Sequence, residues 1–219
     1  MLRQWYEFKN QWSRVFDTFI WPIFYLFFWG LTFLYINTGS GEINFLKLVL
    51  GVIILYSFMY TIQKELTFGM LTDVWDRNFF NLFATPLKIS ELLIGSTIIS
   101  ITKTMLMAIT MAFGAYFIYD FSMLAMLPVL FGGLLTITLF GVFFGIITMG
   151  LIFHLGQHVQ TFTWNGIFLF VPLMCVYYPV AVLPEYLQPF AWALPPTYFF
   201  EFSRNFLLRG AIPSLSDWI

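Results

Sequence analysis

The chain has 219 residues, of which 60% are hydrophobic, 22% aromatic and 10% charged, and its formal net charge is −1. A soluble domain carries roughly a quarter charged residues, so this chain lacks the polar surface that would cover a globule in water. The charge balance offers no basic patch for nucleic acid, and the single cysteine, Cys175, excludes an internal disulfide. These values indicate a polytopic helical membrane protein whose apolar side chains face a lipid bilayer.

Residues 1–15 predict an amphipathic helix that lies in the membrane plane before the first span. Polar residues recur every three or four positions from Arg3 to Asp17, and aromatic residues fill another face. The same stretch lacks the continuous apolar region of a signal peptide.

Five apolar stretches are long enough to cross a membrane, because a span needs about 20 residues. They lie at about 16–36, 45–62, 92–119, 124–153 and 160–182. A polar, amphipathic segment occupies 63–90. The apolar tail at 183–210 follows a different pattern, since the prolines from Pro179 to Pro196 forbid one long helix. The tail therefore predicts short broken helices that dip into the outer leaflet. Four charged residues of the tail are expected at the level of the headgroups: Glu185, Glu201, Arg204 and Arg209.

The distribution of basic residues predicts a cytoplasmic N-terminus. With that orientation, the cytoplasmic segments hold Arg3, Lys9, Arg14, Lys64, Arg77 and Lys88. The external segments hold Arg204 and Arg209, and Lys47 lies just inside the second span. The segment 63–90 is then cytoplasmic, and the tail is external.

Residues 71–83 have the period of a surface helix. One face is apolar and aromatic, whereas Asp73, Asp76, Arg77 and Asn81 crowd the other, with Asp73 and Arg77 spaced for an ion pair. Pro86 ends this helix or begins the next one. The polar face is either solvated or a surface that binds a partner.

Two stretches resemble motifs of the ABC-2 type transporter permeases: LTDVWDRNFFNLFATPLKISELLIG at 71–95 and YYPVAVLPEYLQPFAWALPPTYFFEFSR at 177–204. The opening of the first span, FDTFIWPIFYLFFWG, also fits that family. The resemblance covers nearly the whole chain and implies an all-α, type V exporter-like transmembrane domain over 1–219. It also implies the permease subunit of an ABC exporter in a prokaryotic plasma membrane. A second copy, identical or related, would complete the channel, and a separate ABC ATPase subunit would bind ATP and Mg²⁺.

The resemblance further implies that the segment 63–90 is a coupling segment that receives movement from the ATPase. The candidate coupling residues are Asp73, Asp76, Arg77, Asn78, Asn81, Pro86 and Glu91. The family has six spans, with external re-entrant helices between the fifth and the sixth. This sequence stops at SLSDWI, where the sixth span should begin, so we expect either a fragment or a permease without its last span.

Motifs for bond chemistry do not occur in the sequence. G-x-x-x-x-G-K-[ST], H-E-x-x-H and G-x-S-x-G are all missing, so the chain is expected to bind no nucleotide and to carry no catalytic residue or cofactor. The alternative functions are an ATPase-independent channel, an integral membrane enzyme, or a truncated inactive permease.

Lys103 is the strongest candidate for a functional residue within the membrane, because placing a lysine in hydrocarbon costs about 3 kcal/mol or more of free energy. It lines a substrate path, pairs with a carboxylate such as Glu91 or Asp17, or extends to the inner headgroups from the start of its span. Asp17, at the mouth of the first span, is the second intramembrane charge of interest.

Two weaker patterns remain. His154 and His158 stand four residues apart, but no third ligand is visible and no metal site is predicted. Gly141 and Gly145 form G-x-x-x-G in the fourth span, which would permit close helix contact.

Overall fold

A computed structural model of the chain describes residues 15–37, 43–75 and 88–209. These residues form helices and connecting turns, with no β-strand among them. The segments long and apolar enough to cross a membrane are Phe16–Ile36, Leu46–Trp75, Ile89–Tyr119 and Gly133–Leu155. The prediction of an all-α polytopic membrane protein is confirmed.

The first span starts with a wide turn. Residues Phe16–Ile20 form a π-helical turn, in which the Trp21 N–H donates to the Phe16 carbonyl, five residues back. Helix α1 (Trp21–Asn37) follows directly. The wide turn carries Asp17 and the buried Thr18 at the mouth of the span.

Three long helices and several short ones follow α1. The long helices are α2 (Ile43–Trp75), α3 (Ile89–Tyr119) and α4 (Leu127–Leu155). The short ones are α5 (Gln160–Asn165), α6 (Gln188–Trp192) and α7 (Pro195–Arg209). Single 3₁₀ turns occupy Met123–Met126, Gly156–Val159, Ile167–Phe170 and Val180–Val182.

The long helices alternate in direction. Helices α1 and α3 run parallel, because Leu26 lies against Gly114 and the Tyr119 hydroxyl donates to the Phe27 carbonyl. Helix α4 runs parallel to α2, with Gly141 and Gly145 matched in register. The end of the bundle at which α3 stops is called the Tyr119 end. The opposite end, at which α2 stops, is called the Trp75 end.

Helix α2 is the centre of the bundle. It contacts α1, α3, α4 and α7, and 89% of the residues in an apolar 18-residue window of this helix are buried. The predicted break after residue 62 is wrong, because the helix continues to Trp75. Its polar residues there have internal partners: the Gln63 side chain donates to the carbonyls of Phe162 and Thr163, and the Thr67 hydroxyl donates to the Gln63 carbonyl. The Gln63 amide nitrogen and the Thr67 hydroxyl thus find partners inside the bundle, so these polar residues do not require a surface position.

The predicted surface helix 71–83 is only partly described. Residues 71–75 belong to the end of α2, and Asp73 is 2% exposed rather than on a wet face. The remaining candidates of that helix and its elbow, Asp76, Arg77, Asn78, Asn81 and Pro86, lie outside the described residues.

The predicted continuous fifth span over 160–182 is wrong. Helix α5 gives way to a 3₁₀ turn at Ile167 and then to irregular turns before Pro179. Two residues oppose a regular helix here. Pro172 has no N–H to donate, and Cys175 adopts a left-handed backbone with φ of 51°.

Helix α7 packs on the Tyr119 end of the bundle. Phe199 lies against Gly133 of α4, and Leu207 lies against Gly51 of α2. Phe200 on the same helix is fully buried. The second half of the tail is therefore part of the core of this chain.

The close approach of α2 and α4 depends on the two glycines of G-x-x-x-G. A Cβ at Gly141 would stand 3.0 Å from the Met59 carbonyl oxygen, and one at Gly145 would stand 2.7 Å from the Leu66 side chain. The close helix contact suggested by the sequence is present, between α4 and α2 of one chain.

Replacing Gly141 with leucine is expected to destabilise the protein by about 1–3 kcal/mol, because the side chain must displace backbone atoms of α2. The measurement is the unfolding transition of the purified protein in detergent. Gly150→Leu is the matched control, since nothing lies within 4 Å of a Cβ at Gly150 on the same helix. Equal changes in the two variants would mean that the contact between Gly141 and α2 does not set the effect.

Candidate functional site

The described members of the predicted coupling set do not form one surface. Asp73 is buried near the end of α2, whereas Glu91 is exposed in the first turn of α3. The Glu91 carboxylate accepts a hydrogen bond of 3.0 Å from the Lys88 N–H, one of the donors left open at a helix start. Glu91 thus caps the helix that follows the predicted coupling segment.

Lys103 is paired inside the bundle. Its ammonium lies 2.8 Å from the Glu65 carboxylate of α2, and the two side chains are 6% and 9% exposed. The partners considered from the sequence, Glu91 and Asp17, are therefore wrong. The prediction that the Lys103 side chain extends to the inner headgroups is wrong as well. Helix α3 starts at Ile89, so Lys103 lies fourteen residues inside it.

Asp17 pairs with the neighbour of Glu65. The Lys64 ammonium lies 2.5 Å from Asp17 Oδ2, with the lysine side chain 8% exposed and the aspartate 42% exposed. The same ammonium lies 6.0 Å from the centre of the Tyr60 ring, one turn earlier on α2. A ring face at that distance attracts a cation.

The two ion pairs join three helices at one level. Lys64 and Glu65 are consecutive on α2; one reaches the start of the first span and the other reaches α3. The four charges, from Asp17, Lys64, Glu65 and Lys103, sum to zero. Ionised groups persist in an apolar interior when they are paired with one another and their charges cancel.

A cavity of about 180 Å³ opens beside these ion pairs. It lies between the start of the first span, the second half of α2, Met107 of α3 and the segment after α5. Its lining mixes aromatic rings, hydroxyl groups and charges: Asp17, Thr18, Trp21, Pro22, Tyr25, Tyr56, Ser57, Tyr60, Thr61, Lys64, Glu65, Met107, Asn165 and Phe168.

An aromatic cluster borders the cavity. The hydroxyls of Tyr25 and Tyr177 lie 3.1 Å apart and share a hydrogen bond. Tyr56 stacks on Tyr60 with ring centres 6.2 Å apart, and Trp29 stacks on Tyr177 at 6.4 Å. Such contacts hold the rings in fixed orientations.

Prediction from the sequence missed most of this site. Lys64 was expected in a cytoplasmic segment, and Glu65 and the tyrosines were not singled out. One signal was available, since the pair Lys64–Glu65 has apolar residues on both sides in YTIQKELTFGML. Paired charges inside an apolar helix indicate partners on neighbouring helices.

A second buried ion pair network holds the tail. The Arg204 Nη1 atom lies 2.8 Å from Glu201 Oε1, an electrostatic contact without hydrogen-bond alignment. The Arg204 Nη2 atom donates to the carbonyls of Cys175 and Val176, and the Glu201 carboxylate accepts from the Val180 N–H at 2.6 Å. Glu201 and Arg204 are both buried inside the chain, so neither side chain is open to lipid, and their expected depth at the level of the headgroups stays a prediction.

The histidine pair is divided by the end of a helix. Helix α4 stops before Gly156, which has φ of 64°, so His154 and His158 do not share one continuous helix face. Within residues 15–37, 43–75 and 88–209, no three His, Cys, Asp or Glu side chains are grouped to hold a metal ion.

The side chains that line the cavity are of the kinds that bind a ligand. The rings, the hydroxyls, a half-exposed carboxylate and one buried ammonium group offer stacking, hydrogen bonds and charge recognition to a ligand.

Comparison with known proteins agrees with the resemblance seen in the sequence. The family described as ABC-2 type transporter matches residues 1–208. None of the curated proteins compared and none of the solved structures matches the chain. The matched stretch includes every helix described above, from α1 to all but the last residue of α7. The chain therefore belongs to the ABC-2 type transporter family and is a multi-pass membrane transport component.

Proposed function

We propose that this chain is the membrane-spanning permease subunit of an ATP-driven exporter. A second copy, or a related permease, completes the translocation path, and a separate ABC ATPase binds ATP and Mg²⁺ and supplies the energy. The observation that carries the proposal is the family match over residues 1–208, together with four membrane-length helices in the described residues.

The continuity of α2 supports a coupling role for the segment after it. The helix has 33 residues, which at 1.5 Å per residue make a rod of about 50 Å. It ends at Trp75, and α3 begins at Ile89 under the cap formed by Glu91. A force on the intervening residues acts on both helices, and the ion pairs of Lys64 and Lys103 tie them to each other and to the first span.

The proposed setting is a prokaryotic plasma membrane with a cytoplasmic N-terminus. Lys64 and Arg204 are buried in ion pairs and no longer count toward orientation. The remaining basic residues still favour that side: Arg3, Lys9, Arg14, Arg77 and Lys88, against Lys47 and Arg209. Exposed rings such as Phe28 and Phe117, 63% and 78% exposed, support lipid as the surrounding medium.

The direct test is co-purification. The tagged permease is expressed in its native host and isolated from membranes, and the proteins that co-purify are sequenced for the motif G-x-x-x-x-G-K-[ST]. We expect the ATPase to co-purify and its hydrolysis rate to change when the permease is present. A permease that captures no such protein and moves solutes without ATP would instead be a channel.

Charge reversal in the coupling segment is expected to uncouple the complex. Asp76→Lys and Arg77→Glu should each lower ATP-dependent transport about tenfold or more, because reversed charges repel the partner surface. The measurement is ATP-driven transport in proteoliposomes, with the amount of bound ATPase recorded in parallel.

Lys47→Glu is the matched control. This lysine is exposed on helix α2 near the Tyr119 end, so its reversal should leave transport unchanged. Wild-type coupling in both Asp76→Lys and Arg77→Glu would show that the polar face of the segment does not bind the ATPase.

A further inference from the structure

The position of the Lys64 ammonium marks a point in the protein where a cation is stable. It lies 2.5 Å from the Asp17 carboxylate and 6.0 Å from the centre of the Tyr60 ring. A carboxylate and a ring face on two sides are the groups that recognise organic ammonium ions. The Lys64 ammonium therefore occupies a site, at one wall of the cavity, that is suited to an ammonium ion.

The cavity extends this recognition beyond the lysine. Tyr25 and Tyr56 also line it, and Trp21 at its edge is 62% exposed. These rings offer further π faces to a cation and flat apolar surface to the rest of a ligand. Asp17 is only half covered, so its carboxylate, which has two oxygens, is within reach of a second cation.

The cavity offers fewer favourable contacts to an anion than to a cation. The ammonium groups of Lys64 and Lys103 are both buried, and each is in contact with a carboxylate. An anion would have to displace Asp17 or Glu65 and approach the negative faces of the tyrosine rings. The accessible charge at the cavity is therefore negative.

We propose that this cavity binds organic ammonium ions that carry an aromatic or alkyl group. The ligand's ammonium competes with Lys64 for Asp17 and Tyr60, and its apolar part lies on the tyrosine rings. As an assignment of the substrate class, the proposal rests on the proposed export function. The binding step itself needs neither ATP nor the ATPase.

The experiment compares two ligands of similar shape and opposite charge. Benzyltrimethylammonium and benzylsulfonate are titrated by calorimetry into the purified full-length permease in lipid nanodiscs, without ATP. We expect the cation to bind at least about tenfold more tightly than the sulfonate, a difference of about 1.4 kcal/mol. Equal affinities, or tighter binding of the sulfonate, would overturn the proposal.

Variants test the competition with Lys64. Asp17→Asn should weaken benzyltrimethylammonium binding about tenfold, whereas Lys64→Gln should strengthen it about fivefold, because the internal competitor for the ring and carboxylate is gone. A merely structural ion pair would lose binding in both variants. The double variant Asp17→Asn/Lys64→Gln leaves no unpaired charge behind and should bind more weakly than the wild type, because the carboxylate is gone. Wild-type affinity in that double variant would contradict the proposal.

Asp120→Asn is the control for the aspartate change, since this exposed residue follows α3 at the Tyr119 end. Its affinity for the cation should equal that of the wild type. The two proposals fail separately: a permease that exports other solutes with its ATPase but ignores the ammonium probe disproves the cavity assignment alone. Ammonium binding without any ATPase partner disproves the exporter alone.

Discussion

Replacing Lys103 with methionine is expected to lower the stability of the protein by about 3–5 kcal/mol, because Glu65 is left as an unpaired charge in the interior. The carboxylate is 9% exposed, and its ammonium partner lies 2.8 Å away. Methionine has nearly the volume of lysine, so the loss reports charge rather than packing.

The measurement is reversible unfolding in mixed detergent micelles, followed by tryptophan fluorescence. Lys47→Met is the matched control, since Lys47 is exposed on α2 and the same change should leave the transition in place. The double variant Lys103→Met/Glu65→Met should recover most of the lost stability, because two apolar side chains pack where the pair stood. A double variant as unstable as the single one would show that Lys103 acts through other contacts.

Arg204→Met is the second large effect, with an expected loss of about 3–5 kcal/mol, because Glu201 keeps its charge without its partner. The carbonyls of Cys175 and Val176 also lose their donor. Cys175 has a left-handed backbone, and the arginine holds this turn against α7. We therefore expect the segment 175–180 and α7 to separate before the four long helices do.

Hydrogen exchange resolves this order. Amides of 175–209 should exchange faster in Arg204→Met, while those of α2 keep their protection. Glu201→Gln should have a smaller effect of about 2–3 kcal/mol, since the Val180 N–H keeps an acceptor and Arg204, although it loses its carboxylate, still donates to two carbonyls. Glu185→Gln is the control, because Glu185 is exposed. Uniform loss of protection in all helices would mean that the tail does not unfold as a separate unit.

The long helices follow from local properties of the chain. An apolar run of 20 residues satisfies its backbone within one helix, so α1, α3 and α4 begin and end close to the limits read from the composition. The same reasoning failed at residues 63–75, where polar side chains suggested a surface. Gln63 and Thr67 are polar, but their partners lie inside the bundle.

The fifth apolar run shows the opposite error. Residues 160–182 are apolar enough for a span, yet the structure divides them into short turns. Proline at 172 was visible in the sequence, but the left-handed Cys175 was not. That conformation is held by contacts with Arg204, which lies 29 residues further along the chain.

The sequence by itself determined the class of the protein, its family and the residues that interrupt an apolar chain, because each depends on composition or on residues close together. Only the tertiary structure decided which charges meet. Asp17 and Glu91 were as plausible for Lys103 as Glu65 when spacing was the only guide. The partner is fixed by how α2 and α3 are rotated and aligned, and that depends on the packing of all the helices around α2. The cavity has the same origin, since the side chains that line it come from four separate segments of the chain.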